Sequence, residues 1–273
     1  GMDLGCLATL PPAELRAGLG EVVKAALIAG GDAYARLQGL AAQTPAAPPE
    51  TATGTTPPPL EAPPALPPLA ALLAPLRDAL QLKRTLVEED PEEHGRRIFL
   101  NLGHTFAHGL EAWSAYRLRH GDAVSLGLVC AAELSARLGL CPAALPGELG
   151  RLLYRLGLPT TLPAALDSQG PESAASPAAS ATTTDDKALL DAEAVQTIWA
   201  FMQRDKKRHA RRIRFVLIRA PGEILTCDFV EDGLAQAALR ALLPHPPGRA
   251  EDKLQDKLTR GSQAGPGHAP TDG

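Results

Sequence analysis

Apolar residues recur at helical spacing along most of this chain. The first such stretch is entered through Pro11-Pro12 and reads AELRAGLGEVVKAALIAG. Its Leu15, Leu19, Val22, Val23, Ala26 and Leu27 fall on one side of a helix, and proline suits the first turn. Further helices are expected over Leu69–Glu88, Phe99–Tyr116, Asp122–Leu138 and Leu145–Leu156, the last stopped by Gly157 and Pro159. Asp185–Arg204 holds one or two more. Only near the end does the pattern change. Ile213–Ile218 (IRFVLI) has β character, the turn Ala220-Pro221-Gly222 follows, and Ile224–Phe229 completes one small hairpin. There is no βαβ alternation, no internal repeat, no GxGxxG after a strand and no GxxxxGK[ST]. The pattern predicts a mainly α fold with one hairpin and no dinucleotide or phosphate loop of its own.

Composition changes this picture in one respect. Proline, at 26 of 273 residues, is unevenly spread. Thr44–Pro68 is Pro/Ala/Thr-rich, Ser168–Thr184 is Ser/Ala/Thr-rich, and His245–Gly273 is a Pro/Gly/charge tail. None has the apolar content to offset the entropy of ordering it, so all three are expected to be disordered. The expected organisation is one helical domain over residues 1–244, interrupted at about 44–68 and 168–184, with a tail at 245–273. Hydrophobic residues make up 45% but aromatics only 4%, so the core must rest on Leu, Ala, Val and Ile. A net charge of −4 gives no overall attraction to nucleic acid or anionic lipid. The longest uncharged apolar run, near Ala123–Ala132, is about half the ~20 residues a membrane span needs. Cys6, Cys130, Cys141 and Cys227 form no CxxC pair, and the start shows no signal-peptide pattern. Free thiols and a cytoplasmic location are expected. The chain opens directly into a helical pattern, as if a preceding segment had been removed.

The candidate chemistry is concentrated in a few places. His104 and His108 are four apart, which on a helix places them on one face about 40° apart. His120 opens the next helix after a short loop and can fold back on the same site. An HxxxH pair can equally be a polar helix face. Glu21 stands in an otherwise apolar or small stretch, with Lys24 one turn on. The two could be a surface pair, or Glu21 could be a metal ligand. Two histidines and a glutamate are an established zinc set that leaves positions open for substrate. The acids Glu88, Glu89, Asp90, Glu92 and Glu93 read most simply as a solvated loop. Arg96, Arg97 and Asn101 follow them, and arginine forks suit carboxylate or phosphate. The Asp205-Lys206-Lys207-Arg208 run could be a solvated turn or an anion contact.

Taken together, these segments resemble the C-terminal domain of the 3-dehydroquinate synthase family, within the sugar phosphate cyclases. LPPAELRAGLGEVVKAALI is similar to the helix that carries a zinc-binding glutamate. LKRTLVEEDPEEHGRRIFLNLGHTFAHGLE with HGDAVSLGLV resembles the two-histidine zinc segment, and MQRDKKRHARRIRFVLI the late Asp-Lys-Lys turn and strand. The resemblance implies that Glu21, His104 and His120 bind Zn2+ or a similar ion such as Co2+. It implies catalytic roles for Lys24, Asn101 and His108 at the substrate's hydroxyls or phosphate, with Lys83 and Arg97 on its carboxylate and Lys206 or Lys207 on its phosphate. Such enzymes use NAD and zinc to convert 3-deoxy-arabino-heptulosonate 7-phosphate to 3-dehydroquinate with loss of phosphate.

Two departures bear on this chain. The family's N-terminal Rossmann-like NAD domain is absent from the sequence, and Ala107 stands where many relatives have glycine. The expectation is therefore a zinc-binding fragment, with a sugar phosphate as its substrate. It would be inactive unless a separate NAD-binding half joins it, and a homodimer is possible. The rivals are cyclases making 2-epi-5-epi-valiolone or 2-deoxy-scyllo-inosose, a more distant glycerol-dehydrogenase-like enzyme, and a non-catalytic zinc-stabilised remnant. Lys83 and Arg97 favour a carboxylated substrate.

Overall fold

A computed structural model describes residues 4–43, 66–162, 184–208 and 213–243, with the backbone alone given for 4, 184–191 and 205–208. Eight α-helices and one hairpin are found among these residues. The helices are α1 Pro12–Ala29, α2 Gly31–Gln43, α3 Leu73–Glu89, α4 His104–Trp113, α5 His120–Arg137, α6 Leu145–Arg155, α7 Thr184–Arg208 and α8 Asp232–Arg240. The strands β1 Phe215–Ala220 and β2 Glu223–Cys227 pair antiparallel, with Ile218 opposite Ile224. All described residues lie within one unit, Gly1–Leu243. None of the described helices is long and apolar enough to cross a membrane.

α5 is the central element. It packs against α1, α4, α6, α8 and β1, and residues from Gly121 through Ala132 are buried without interruption. A helix buried all round must be apolar on every face. It must also be slim where neighbours press closest, which explains its glycines, alanines and serines. β1 likewise buries four consecutive residues, Phe215–Ile218. Its end is tied to α5 by Ser135, whose hydroxyl donates to Ala131 O (2.7 Å) and accepts from Ile218 N–H (3.1 Å). The largest fully buried side chains are ten or more leucines and a single aromatic, Phe106, as the aromatic-poor composition requires.

The structure departs from the sequence pattern in several places. The expected Phe99–Tyr116 helix is three pieces. Arg96–Asn101 is a 3-10 turn, Gly103 takes a left-handed φ of 77°, and α4 begins only at His104. At its other end Ala115 and Tyr116 have φ of 51° and 60°, so the helix stops at Trp113. α2 and α8 were not anticipated; α2 restarts after the Gly30-Gly31 break, and α8 is a nine-residue helix with a short buried face. The Asp205–Arg208 run, for which a solvated turn and an anion contact were both open, is the helical end of α7, with its side chains outside the described residues. The first proline-rich stretch was expected to reach residue 68, but Leu66 already packs onto the core and Pro67 is buried. Thr184, assigned to the second stretch, starts α7. The remainder of the three low-complexity stretches lies outside the described residues.

Candidate metal centre

Two close helix contacts bring the candidate ligands together. α1 crosses α5 at Gly20 and Gly121, where a Cβ on either glycine would run into the other helix's backbone. Glu21 and His120 are the immediate neighbours of these glycines. α4 meets α5 at Gly103 and Gly127 in the same way. A Cβ on Gly103 would lie 2.9 Å from both Gly127 C and Leu128 N. His104 follows Gly103 directly. The ligand-bearing residues are thus fixed by backbone-to-backbone contact.

Glu21, His104 and His120 each present one ligand atom, and these lie within 4.8 Å of one another. Glu21 Oε1 is 3.7 Å from His104 Nε2 and 3.6 Å from His120 Nε2. Those separations are too long for hydrogen bonds. They are close to the ~3.4 Å between ligands that a tetrahedral ion with ~2.1 Å bonds requires. Glu21 Oε1 is buried and has no hydrogen-bond partner, whereas Oε2 accepts from Lys24 Nζ at 2.7 Å. A buried, orphaned carboxylate oxygen between two imidazole nitrogens fits a cation.

Both histidines have the tautomer a metal needs. His120 Nδ1 lies 3.0 Å from Glu111 Oε1, and His104 Nδ1 lies 3.3 Å from Leu102 O. Each of these oxygens can only accept, so each Nδ1 carries the proton, and in the neutral ring each Nε2 keeps its lone pair toward Glu21. Burial, reinforced by the Lys24 charge, pushes the His104 pKa down to about 4, so that ring is neutral near pH 7. Burial on its own would raise the Glu21 carboxyl. The charge and hydrogen bond of Lys24, with smaller contributions from His104 and His120, hold it below its ordinary value. Lys24 itself is lowered, chiefly by burial and slightly by the charge of Lys83, against the pull of Glu21. The pair is therefore not the exposed surface contact it could have been, since the Lys24 side chain is 6% exposed.

The other candidates are distributed as follows. His108 stacks edge-on to His104 with ring centroids 5.5 Å apart and is exposed beside the ligand cluster. Lys83 is exposed on α3, within electrostatic reach of Lys24. Asn101 Nδ2 donates to Glu93 Oε1 at 2.8 Å, and the Arg97 guanidinium donates to the Pro91 carbonyl. The side chains of Lys206 and Lys207 lie outside the described residues. The acidic segment is not merely a solvated loop. The Asp90 carboxylate accepts the N–H groups of His94 (2.9 Å), Gly95 (2.8 Å) and Arg97 (3.0 Å), folding the approach to α4 around itself. Sequence reasoning missed Asp90, Glu93 and Glu111 as organising groups. Glu111 had a usable signal: it stands seven residues after His104, on the same helical face.

Fold and site together define a helical domain with a candidate metal centre at Glu21, His104 and His120. The model of the 3-dehydroquinate synthase C-terminal family matches residues 18–188, and the chain belongs to that family. It is 33% identical over 232 residues to 3-dehydroquinate synthase of Legionella pneumophila (strain Corby), covering 85% of this chain and 50% of that protein. It is also 33% identical over 243 residues to the enzyme of Cereibacter sphaeroides (strain KD131), covering 88% and 54%. The chain thus spans about half the length of these relatives. Among solved structures it resembles 2-epi-5-epi-valiolone synthase from Streptomyces hygroscopicus with NAD+ and Zn2+ bound, at TM-score 0.60 and 23% identity, covering 88% of this chain and 54% of that one. A 2-deoxy-scyllo-inosose synthase complexed with carbaglucose-6-phosphate, NAD+ and Co2+ gives TM-score 0.57 at 18% identity, covering 87% and 54%.

Proposed function

We propose that this chain is the metal- and substrate-binding half of a 3-dehydroquinate synthase, acting on 3-deoxy-arabino-heptulosonate 7-phosphate in the shikimate pathway. The observation that carries the reading is the orphaned Glu21 Oε1 set between two Nε2 lone pairs. Glu21, His104 and His120 would hold Zn2+ or Co2+, and such an ion, when bound, polarises a substrate hydroxyl or ketone oxygen. Lys24 neutralises the ligand carboxylate and can turn a proton toward a substrate oxygen. His108, exposed next to His104, can hold or pass a proton at the phosphate end of the substrate. Lys83 and Arg97 suit its carboxylate, and Lys206 or Lys207 its phosphate. Asn101 would exchange Glu93 for a substrate hydroxyl. Fixed cations at both anionic ends would orient the reacting carbons between them.

NAD would be supplied to this site by a nucleotide-binding half, since the sequence carries no dinucleotide motif. The reading includes a cytoplasmic location and an assembled enzyme of at least these two halves, with a homodimer possible. It is preferred over the related cyclases because Lys83 and Arg97 suit a carboxylated substrate. The test is metal analysis of the purified chain beside Glu21→Ala and His104→Ala. One equivalent of zinc in the parent and its loss in both variants is expected; no zinc in the parent overturns the reading. In addition, NAD-dependent phosphate release should require addition of a nucleotide-binding half. Turnover by the chain alone would overturn that requirement.

A further inference from the structure

Of the two imidazoles that face Glu21, the exposed one has the stronger anchor. The His104 side chain is 14% exposed and has only a backbone carbonyl at Nδ1, at 3.3 Å. The His120 side chain is 49% exposed, at the first position of its helix, and has a carboxylate at Nδ1, at 3.0 Å. A ring so exposed can turn over about its Cβ–Cγ bond. Turning exchanges Nδ1 with Cδ2 and Nε2 with Cε1, and so withdraws the lone pair from the site. Packing cannot prevent this at His120; an acceptor fixed at Nδ1 can.

Glu111 is such an acceptor, and the chain around it is tightly tied. Its side chain is only 14% exposed. Its backbone carbonyl accepts from Ser114 Oγ (2.9 Å) and from Tyr116 N–H (2.7 Å). The buried Ser114 hydroxyl in turn accepts from Leu118 N–H at 3.2 Å, and Ser114 O accepts from Arg117 Nε at 3.0 Å. These bonds fold the six residues between α4 and α5 into one fixed turn. That turn sets where His120 stands relative to Glu111, nine residues earlier.

We propose that Glu111 is a positioning residue for the metal centre: it holds His120 in the Nδ1–H tautomer and in one ring orientation, and so sets metal affinity. The role rests on the metal reading of the site, but its geometry does not. Carboxylate partners of this kind typically contribute 10–100-fold to metal affinity. Zinc titration calorimetry at one pH on the full chain is expected to show Glu111→Ala binding roughly 10–100-fold more weakly than the parent. Glu111→Gln keeps an oxygen acceptor and loses the charge, so it is expected to fall between the two. Ring 15N spectra of the chain without added metal should show His120 as the Nδ1–H tautomer in the parent and as a mixture in Glu111→Ala. Unchanged zinc affinity in both variants overturns the inference, and so does an unchanged His120 tautomer in Glu111→Ala. Should Glu111→Ala fail to fold, Glu111→Gln carries the affinity test, and parent-like binding by it overturns the role of the charge. A parent chain that takes up no zinc defeats the metal reading instead, and the tautomer spectra, which need no metal, still decide the role of Glu111.

Discussion

His104 gives the site its clearest pH signature. Its folded pKa, about 4, lies below the ordinary histidine value of 6.5, because burial and Lys24 disfavour the charged ring. Between these two values the unfolded chain binds a proton that the folded chain refuses. The stabilisation is therefore complete above pH 6.5 and is lost as pH falls toward 4. Its size is on the order of 3 kcal/mol, the shift taken at 1.36 kcal/mol per unit. Urea midpoints at pH 7 and pH 4 should differ by less in His104→Ala than in the parent; equal differences would contradict the assignment. At this scale much was legible from sequence. Residue type and four-residue spacing single out His104 and His108, and an acid in an apolar stretch singles out Glu21. What spacing could not supply was which oxygen of Glu21 is left over, or that Glu93 occupies Asn101. Both depend on side-chain directions that spacing does not carry: Lys24 takes Oε2 of Glu21, and the turn folded around Asp90 brings Glu93 to Asn101.

Helix positions were largely readable because their apolar faces repeat over many turns. The failures fall where a single residue interrupts the repeat. Gly103 stops a continuous pattern and starts α4 at a ligand. α8 buries only a short face of Ala235, Ala238 and Leu239, too little for periodicity to reveal. The helix contacts themselves yield a contrast of glycines. Gly127→Ala forces a methyl group into the Gly103 backbone. It is expected to destabilise the fold by about 1–3 kcal/mol, the usual range for overpacking, and to weaken zinc binding through His104. Gly150→Ala on α6 meets nothing within 4 Å and should stabilise by roughly 0.5–1 kcal/mol with zinc affinity unchanged. Thermal unfolding with and without zinc separates the two. A Gly127→Ala chain as stable as the parent would show that the two helices can slide apart freely.

For the whole molecule, the three candidate ligands come from three helices, α1, α4 and α5. No pair spanning α1 and the other two can close until the core has formed. An ion that binds only the folded chain adds about 2.7 kcal/mol of stability at a concentration 100-fold above its dissociation constant. At roughly 2–4 °C per kcal/mol for a chain of this size, zinc should raise the unfolding temperature by about 5–11 °C. Scanning fluorimetry should show that rise in the parent and not in His104→Ala.

The contact of Gly20 with Gly121 has a consequence for how such a site persists through evolution. Contacts between backbones specify a distance without specifying side chains. As long as the two glycines stay bare, side chains elsewhere on the two helices can change for others of similar size without moving Glu21 or His120. Very few letters of the sequence then have to stay fixed for the ligand geometry to be inherited.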